Sequence, residues 1–210
     1  MMYATREEMI ENQLKARGIK DSRVLDAMWN VDRSLFIPDD VKPHTYDDGP
    51  LPIGRGQTIS QPYIVAYMAQ ILNISPDDKI LEIGTGCGYN AAVLARLARH
   101  VYSIEIIEWL AETAKGNLEK AGVTNVSIKQ DDGYKGWPEK APFDGVMLTA
   151  APPFIPSPLK EQLKICGRLI APIGITNQRL VLIERKSENE FSREDLILVS
   201  FVPMRGEAEK

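Results

Sequence analysis

Leu81-Glu82-Ile83-Gly84-Thr85-Gly86-Cys87-Gly88-Tyr89 is the stretch that decides the fold. An apolar run of strand type enters a turn in which three glycines alternate with other residues, and a helical pattern follows over 89–98. Glycine lets the backbone take positive φ and lets a ligand approach it closely. The first NH groups of the following helix have no partner within it and face polar or anionic ligand atoms. The turn therefore reads as a nucleotide cradle at the end of a strand. The dinucleotide fingerprint Gly-x-Gly-x-x-Gly needs its third glycine at position 89, where this chain has tyrosine, which disfavours hydride transfer.

Downstream of the turn, strand and helix patterns alternate: strands at 79–83, 101–105, 126–130 and 145–149, helices from 89 and over 107–122. Such alternation implies right-handed crossovers and a parallel, doubly wound sheet of Rossmann-like α/β type. Ser157-Pro158 starts a short helix ending near Gly167, and a fifth strand follows over 168–172. The gaps before strands at 179–186 and 196–202 are too short for helical crossovers, so these strands continue as an antiparallel edge. The expected order is 3-2-1-4-5-6-7 in a seven-stranded, mostly parallel sheet, with residues 205–210 frayed.

Upstream, Thr5 and Glu8 have capping-box spacing for a helix to about Arg17, stopped by Gly18, with Met9, Ile10, Gln13 and Leu14 on its apolar face. Ser22 is placed to cap a second helix ending at Asn30. Residues 32–62 have little periodicity and five prolines, and a loop of that length in a compact domain is usually functional or disordered. Leu35, Phe36, Ile37, Tyr46, Leu51 and Ile53 within it call for burial. A helix follows Pro62 to about Leu72. The division expected is one domain, with N-terminal helices and an active-site loop in 1–62, a cofactor-binding core in 63–173 and the antiparallel strands in 174–210.

With 210 residues and 44% hydrophobic content, the chain can bury one sizeable core. A net charge of −4 offers no global attraction to phosphates, so nucleic-acid partners lose weight. No run approaches the roughly 18 apolar residues that span a bilayer, and residues 1–17 are polar rather than signal-like, so no membrane partner and a cytoplasmic location are expected. Cys87 and Cys166 are too far apart in sequence to announce a framework and read as reduced, incidental thiols. His44 and His100 lack metal spacing; His100 is read as ending a helix, and no metal is expected.

In a doubly wound sheet, ligands bind outside the carboxyl ends of the strands at the switch point. Glu105 closes the second strand, 23 residues after Glu82, where a carboxylate can accept from both ribose hydroxyls of an adenosine. Asp131-Asp132-Gly133 follows the third strand, either as an adenine-reading turn or as turn chemistry alone. Thr149-Ala150-Ala151 follows the fourth with small residues. In Gly54-Arg55-Gly56-Gln57-Thr58-Ile59-Ser60-Gln61-Pro62, the Thr58 and Ser60 hydroxyls share a face if extended, while Ser60 could equally cap the next helix.

The spacing of Glu82, Gly84, Gly86 and Gly88 resembles motif I of class I S-adenosylmethionine-dependent methyltransferases. Further stretches extend the likeness over nearly the whole chain: Glu11-Asn12-Gln13-Leu14, Val24-Leu25-Asp26-Ala27-Met28, Arg33-Ser34-Leu35-Phe36-Ile37-Pro38, Gly56-Gln57-Thr58-Ile59-Ser60-Gln61-Pro62, Pro142-Phe143-Asp144 and Phe201-Val202-Pro203. In these the chain resembles the protein-L-isoaspartate O-methyltransferases, the Thr-Ile-Ser-Gln-Pro segment being the most specific element. It departs from them at Asp32, Asp131 and Cys166, where the family often has Pro, Gly and Pro.

The resemblance implies a monomeric enzyme that methylates the α-carboxylate of L-isoaspartyl residues in damaged proteins and peptides, converting S-adenosyl-L-methionine to S-adenosyl-L-homocysteine. It implies Ser60 as the active-site residue, and Thr58, Ser60 and backbone near Val202 as the cleft for the isoaspartyl carboxylate. Glu82, Gly84, Thr85, Gly86, Gly88 and Thr149 would surround the cofactor, with Glu105 on the ribose and Asp132 with Gly133 beside adenine. A carboxylate is already ionised at neutral pH, so the reaction needs alignment rather than a general base. Two other readings stay open: a methyltransferase for another small carboxylate or RNA, and a non-catalytic cofactor-binding module.

Overall fold

Two periodicities, near 3.6 in the helices and 2 in the strands, build the layers of the computed structural model, which describes residues 4–209. Thr5 and Glu8 form the capping box: the Glu8 amide donates to Thr5 Oγ1 (3.2 Å) and the Thr5 amide to the Glu8 carboxylate (2.8 Å). Helix α1 (Arg6–Glu8) continues as a π-type stretch (Met9–Leu14) and a 3-10 turn (Lys15–Arg17), ending at Gly18 with φ 91°. Met9, Ile10, Gln13 and Leu14 are buried. Asp21, not Ser22, caps α2 (Ser22–Asn30), because Asp21 has the extended backbone of a cap and accepts the Arg23 amide at 2.9 Å.

Residues 32–62 are more regular than their sequence. They form 3-10 turns at Arg33–Phe36 and Asp39–His44 and a small hairpin of β1 (Leu51–Gly54) and β2 (Gln57–Ile59). Gly54, Arg55 and Gly56 all take positive φ at its tip, and strands of four and three residues are too short to display a period. Phe36, Ile37 and Ile53 are buried, but Leu35 is 40% exposed. Helix α3 (Pro62–Leu72) follows, burying Val65, Met68 and Leu72.

The main sheet comprises β3 (Lys79–Ile83), β4 (His100–Glu105), β5 (Val126–Gln130), β6 (Phe143–Leu148), β7 (Leu163–Ile173), β8 (Arg179–Arg185) and β9 (Phe191–Leu198). Among the described residues it has seven strands in the order β5-β4-β3-β6-β7-β8-β9, parallel through β7 and antiparallel thereafter, as the short gaps required. Helices α4 (Tyr89–Ala95), α5 (Glu108–Lys120) and α6 (Ser157–Glu161) connect the parallel strands. Alternation divides the core: Ile80 and Met147 join α3, α4 and the N-terminal helices on one face. Leu81, Ile83, Val146 and Leu148 meet Leu159 and Leu163 on the other. No helix among the described residues is long and apolar enough to cross a membrane.

Several boundaries move. α4 stops at Ala95, and His100 opens β4 instead of ending a helix. Burial lowers the His100 pKa, and its Nε2 pairs with Ser127 Oγ at 2.9 Å. β7 begins at Leu163, five residues early, because a register shift opposite Phe143 and Gly145 and the left-handed Cys166 (φ 67°) let the chain pair through its irregular start. The last strand occupies 191–198 rather than 196–202, its charged residues lying on the open edge of the sheet. Residues 199–204 turn back over the carboxyl ends, where the Ala151 amide donates to Val202 O and the Met204 amide to Ala151 O, each at 2.9 Å. Most of the tail expected to fray is a 3-10 turn, Gly206–Glu209; Lys210 and residues 1–3 lie outside the described residues.

Candidate active site

The carboxyl ends of β3, β4 and β6 open into a cavity with about 800 Å³ of space between its atoms, mouth included. Its floor is the turn from β3 to α4. Gly84 (φ 98°) and Gly86 (φ 56°) hold left-handed conformations there, and any side chain on Gly84 would run into Thr149 Oγ1. That hydroxyl donates to Gly84 O at 2.5 Å and locks the turn to the end of β6. Gly133 is likewise without room, since a Cβ would strike the Ile83 side chain.

Glu105 stands in the cavity wall, 5% exposed. Its carboxylate accepts the amides of Gly86 (2.8 Å) and Ile107 (2.9 Å), so it joins the glycine turn to the start of α5. Burial raises its pKa, against the opposing effect of those backbone bonds. Ile83, Ile104, Ile106 and Ile107 supply apolar walls around it.

Glu82 lies beneath this floor, wholly buried and outside the cavity wall. Asn90 Nδ2 donates to its Oε1 at 2.7 Å and Ser103 Oγ donates to its Oε2. With the Ser103 hydrogen so used, the Thr85 hydroxyl donates to Ser103 (2.6 Å), leaving its lone pairs for the cavity that Thr85 lines. Burial pushes the Glu82 pKa up to about 7, against the hydrogen bonds from Ser103 and Asn90. The signal for Ser103 was a small hydroxyl inside β4, between Tyr102 and Ile104; nothing local marked Asn90.

The other expected residues divide. Thr58, Ser60, Gly84, Thr85, Gly86, Glu105, Gly133, Thr149 and Val202 line the cavity; Gly88 and Asp132, like Glu82, do not. Gly88 caps α4 and packs against Ala114 and Leu118. The Asp132 carboxylate accepts the Tyr134 amide (2.9 Å) and the Glu207 amide (2.8 Å), which turns it toward the C-terminal segment.

A second groove runs beside the cavity between Pro50, Tyr63 and the 197–202 segment, and the two share Thr58, Ser60, Thr149 and Val202. Ser60 does not cap α3: Gln61 occupies the cap position without a side-chain bond, and Ser60 Oγ has no hydrogen-bond partner among the described residues. Its hydroxyl is thus available at the junction. Gln178 shapes the groove by bonding both main-chain groups of Phe201, its Oε1 accepting at 2.6 Å and its Nε2 donating at 3.0 Å. A contact across 23 residues has no local signature.

Known proteins share this architecture. A solved protein-L-isoaspartate O-methyltransferase superposes with a TM-score of 0.88 at 30% identity, over 97% of this chain and 67% of its own. A Plasmodium falciparum protein-L-isoaspartate O-methyltransferase, solved with S-adenosyl-L-homocysteine, superposes with a TM-score of 0.84 at 26% identity, over 96% of this chain and 99% of its own. The protein-L-isoaspartate O-methyltransferase 2 of Nitrosococcus oceani is 51% identical over 205 residues, 97% of this chain and 94% of its own. The profile of the protein-L-isoaspartate(D-aspartate) O-methyltransferases matches residues 4–209, and with the cavity, the sheet order and the relatives in agreement, the chain belongs to that family.

Proposed function

We propose that this chain transfers a methyl group from S-adenosyl-L-methionine to the α-carboxylate of L-isoaspartyl residues in damaged proteins and peptides, the first step of their repair. The observation that carries this reading is the junction: a cofactor-sized cavity and an open groove meet at Thr58, Ser60, Thr149 and Val202.

The cavity suits the cofactor. Positive-φ glycines bring backbone within reach of its amino-acid end, Glu105 provides a carboxylate for the ribose, and the isoleucine walls with Gly133 leave a slot for a flat base. When bound, S-adenosyl-L-methionine supplies an electrophilic methyl group on a positively charged sulfur. The residues of this chain then orient and desolvate. Ser60 Oγ donates to the acceptor carboxylate, Thr58 adds a hydroxyl on the same face, and the backbone near Val202 closes the other side. Because the acceptor is ionised at neutral pH, no side chain has to remove a proton. The hairpin lines the cavity on one side and residues 202–205 line it on the other, and reaction between opposite charges is favoured where such walls lower the local dielectric.

In this reading residues 1–62 serve the acceptor, 63–173 the cofactor, and 174–210 complete the walls. The reading takes the protein as a cytoplasmic monomer that acts on protein rather than nucleic acid.

The test is methyl transfer from labelled S-adenosyl-L-methionine to two matched peptides, one with L-isoaspartate and one with normal aspartate. Label in the isoaspartyl peptide alone is expected. Cofactor binding with label in neither peptide would refute the acceptor assignment.

A further inference from the structure

Arg33 is the one arginine with no exposed surface at all among the described residues, and no carboxylate pairs with it. Its Nε donates to Thr45 O (2.9 Å), its Nη2 donates to Ser60 O (2.8 Å), and its Nη1 is buried without a partner. The guanidinium carbon sits 4.8 Å from the centre of the Tyr89 ring. Burial lowers its pKa, yet arginine stays charged under these conditions. A buried cation compensated by carbonyls and by Tyr89, with no carboxylate beside it, is an expensive way to fill space, and a hydrophobic residue of similar volume is often neutral or better for stability.

The contacts say what the charge is for. Thr45 and Ser60 stand at the two roots of the segment that carries the β1–β2 hairpin, and one planar fork holds both carbonyls. Lysine, a point donor, could not match that two-sided geometry. The same guanidinium rests on Tyr89, the first residue of α4 and part of the cofactor cavity. It therefore couples the backbone of Ser60 to the wall of the cofactor site. Holding the Ser60 carbonyl fixes the backbone that carries the residue's hydroxyl, which has no partner among the described residues, at the junction of cavity and groove.

We infer that Arg33 is a positioning residue for methyl transfer, setting the Ser60 hydroxyl at the junction of cavity and groove. The inference rests on the reading of Ser60 as the ligand of the acceptor carboxylate. Positioning errors near 1 Å are enough to reduce turnover by orders of magnitude.

The experiment compares Arg33→Met and Arg33→Lys, each alone and combined with Ser60→Ala. Measured quantities are kcat and KM for an isoaspartyl peptide, S-adenosyl-L-homocysteine affinity by calorimetry, and Tm. Arg33→Met should lower kcat/KM for the peptide at least about tenfold, a loss on the scale of one charge-assisted hydrogen bond, with cofactor affinity held within about twofold. Arg33→Lys should recover only part of it. On a Ser60→Ala background the Arg33 changes should cost less than about threefold, because the group they position is gone. Losses that multiply in the double variants, or cofactor affinity that falls in step with kcat, would overturn the inference and make Arg33 a packing residue for Tyr89. Wild-type rates in Ser60→Ala would overturn the reading of Ser60 and this inference together. A slow Ser60→Ala beside unimpaired Arg33 variants would overturn this inference alone. Should neither Arg33 variant fold, the wild-type protein gives the answer through its Arg33 Nε–H resonance in the S-adenosyl-L-homocysteine complex. A shift on adding the isoaspartyl peptide but not its aspartyl counterpart is expected, and equal or absent shifts would overturn the inference.

Discussion

Asp132 and Glu207 are 75 residues apart in sequence, and the Glu207 amide donates to Asp132 Oδ2 across 2.8 Å. This bond ties the turn after β5 to the C-terminal segment, whose residues 202–205 form part of the cavity wall. Asp132 thereby acts on the cavity from outside its wall.

Removing that tie should loosen the wall. Asp132→Ala is expected to weaken S-adenosyl-L-homocysteine binding roughly fivefold, the equivalent of about 1 kcal/mol for one hydrogen bond. A chain ending at Arg205 should lose as much, and combining the two changes should add little. Calorimetric titration separates this from direct recognition of the base: if Asp132 reads adenine, the shortened chain binds normally while Asp132→Ala does not.

Ser60→Ala should reduce kcat for the isoaspartyl peptide by roughly 10-fold to 100-fold, the loss of one hydrogen bond to a charged group worth about 1.5–3 kcal/mol. Cofactor affinity should hold, since the hydroxyl has no partner among the described residues and is not a helix cap. Single-turnover rates with separate binding titrations check both halves; a parallel fall in binding would assign Ser60 a structural part.

Glu82 makes stability depend on pH with a definite sign. Its pKa rises from an ordinary 4.5 to about 7 in the folded chain, so between those values the folded state keeps a proton that the unfolded state has released. Stability therefore declines as pH rises through that window, by about 3 kcal/mol in all, and the full cost is present above it. Glu82→Gln has no proton to lose and should show a flatter profile. Urea unfolding at intervals from pH 5 to 8 measures the difference; identical slopes for the two proteins would contradict the assignment.

Two glycines should respond in opposite directions to alanine. Gly84→Ala forces a side chain into left-handed backbone, about 1–2 kcal/mol, and into Thr149 Oγ1, so cofactor affinity should fall more than tenfold, with Thr149→Ala restoring part. Gly116→Ala, inside α5 with open space around the position, should stabilise by about 0.5–1 kcal/mol and raise Tm by roughly 2–3 °C without altering turnover. Thermal melts and cofactor titrations of both variants are the check.

The strand order illustrates what the chain discloses by itself. β3 and β5 appear with the bounds read from the sequence, because β3 is a largely apolar run, β5 alternates Val126 and Ile128 with polar residues, and turn residues end both; the antiparallel edge follows from gaps too short for a crossover. The glycine turn and Glu105 were legible for the same reason: a ligand site at strand ends is built from residues whose neighbours in sequence already determine where they sit. The hairpin inside the proline-rich segment was not, since strands of three and four residues are too short to repeat the two-residue period often enough to reveal it.

Sequence alone therefore determined the order of layers, the cradle and the candidate list of site residues, all consequences of local propensity and periodic burial. Which of those residues face the cavity was decided only by tertiary structure. Glu82 is under the floor through Asn90 and Ser103, Asp132 is turned to Glu207, and the Ser60 backbone is held by Arg33 while its hydroxyl has no partner among the described residues. Each of these outcomes depends on a partner between 8 and 75 residues away, and a side chain's direction is set by the nearest available donor or acceptor in space, whatever its distance along the chain.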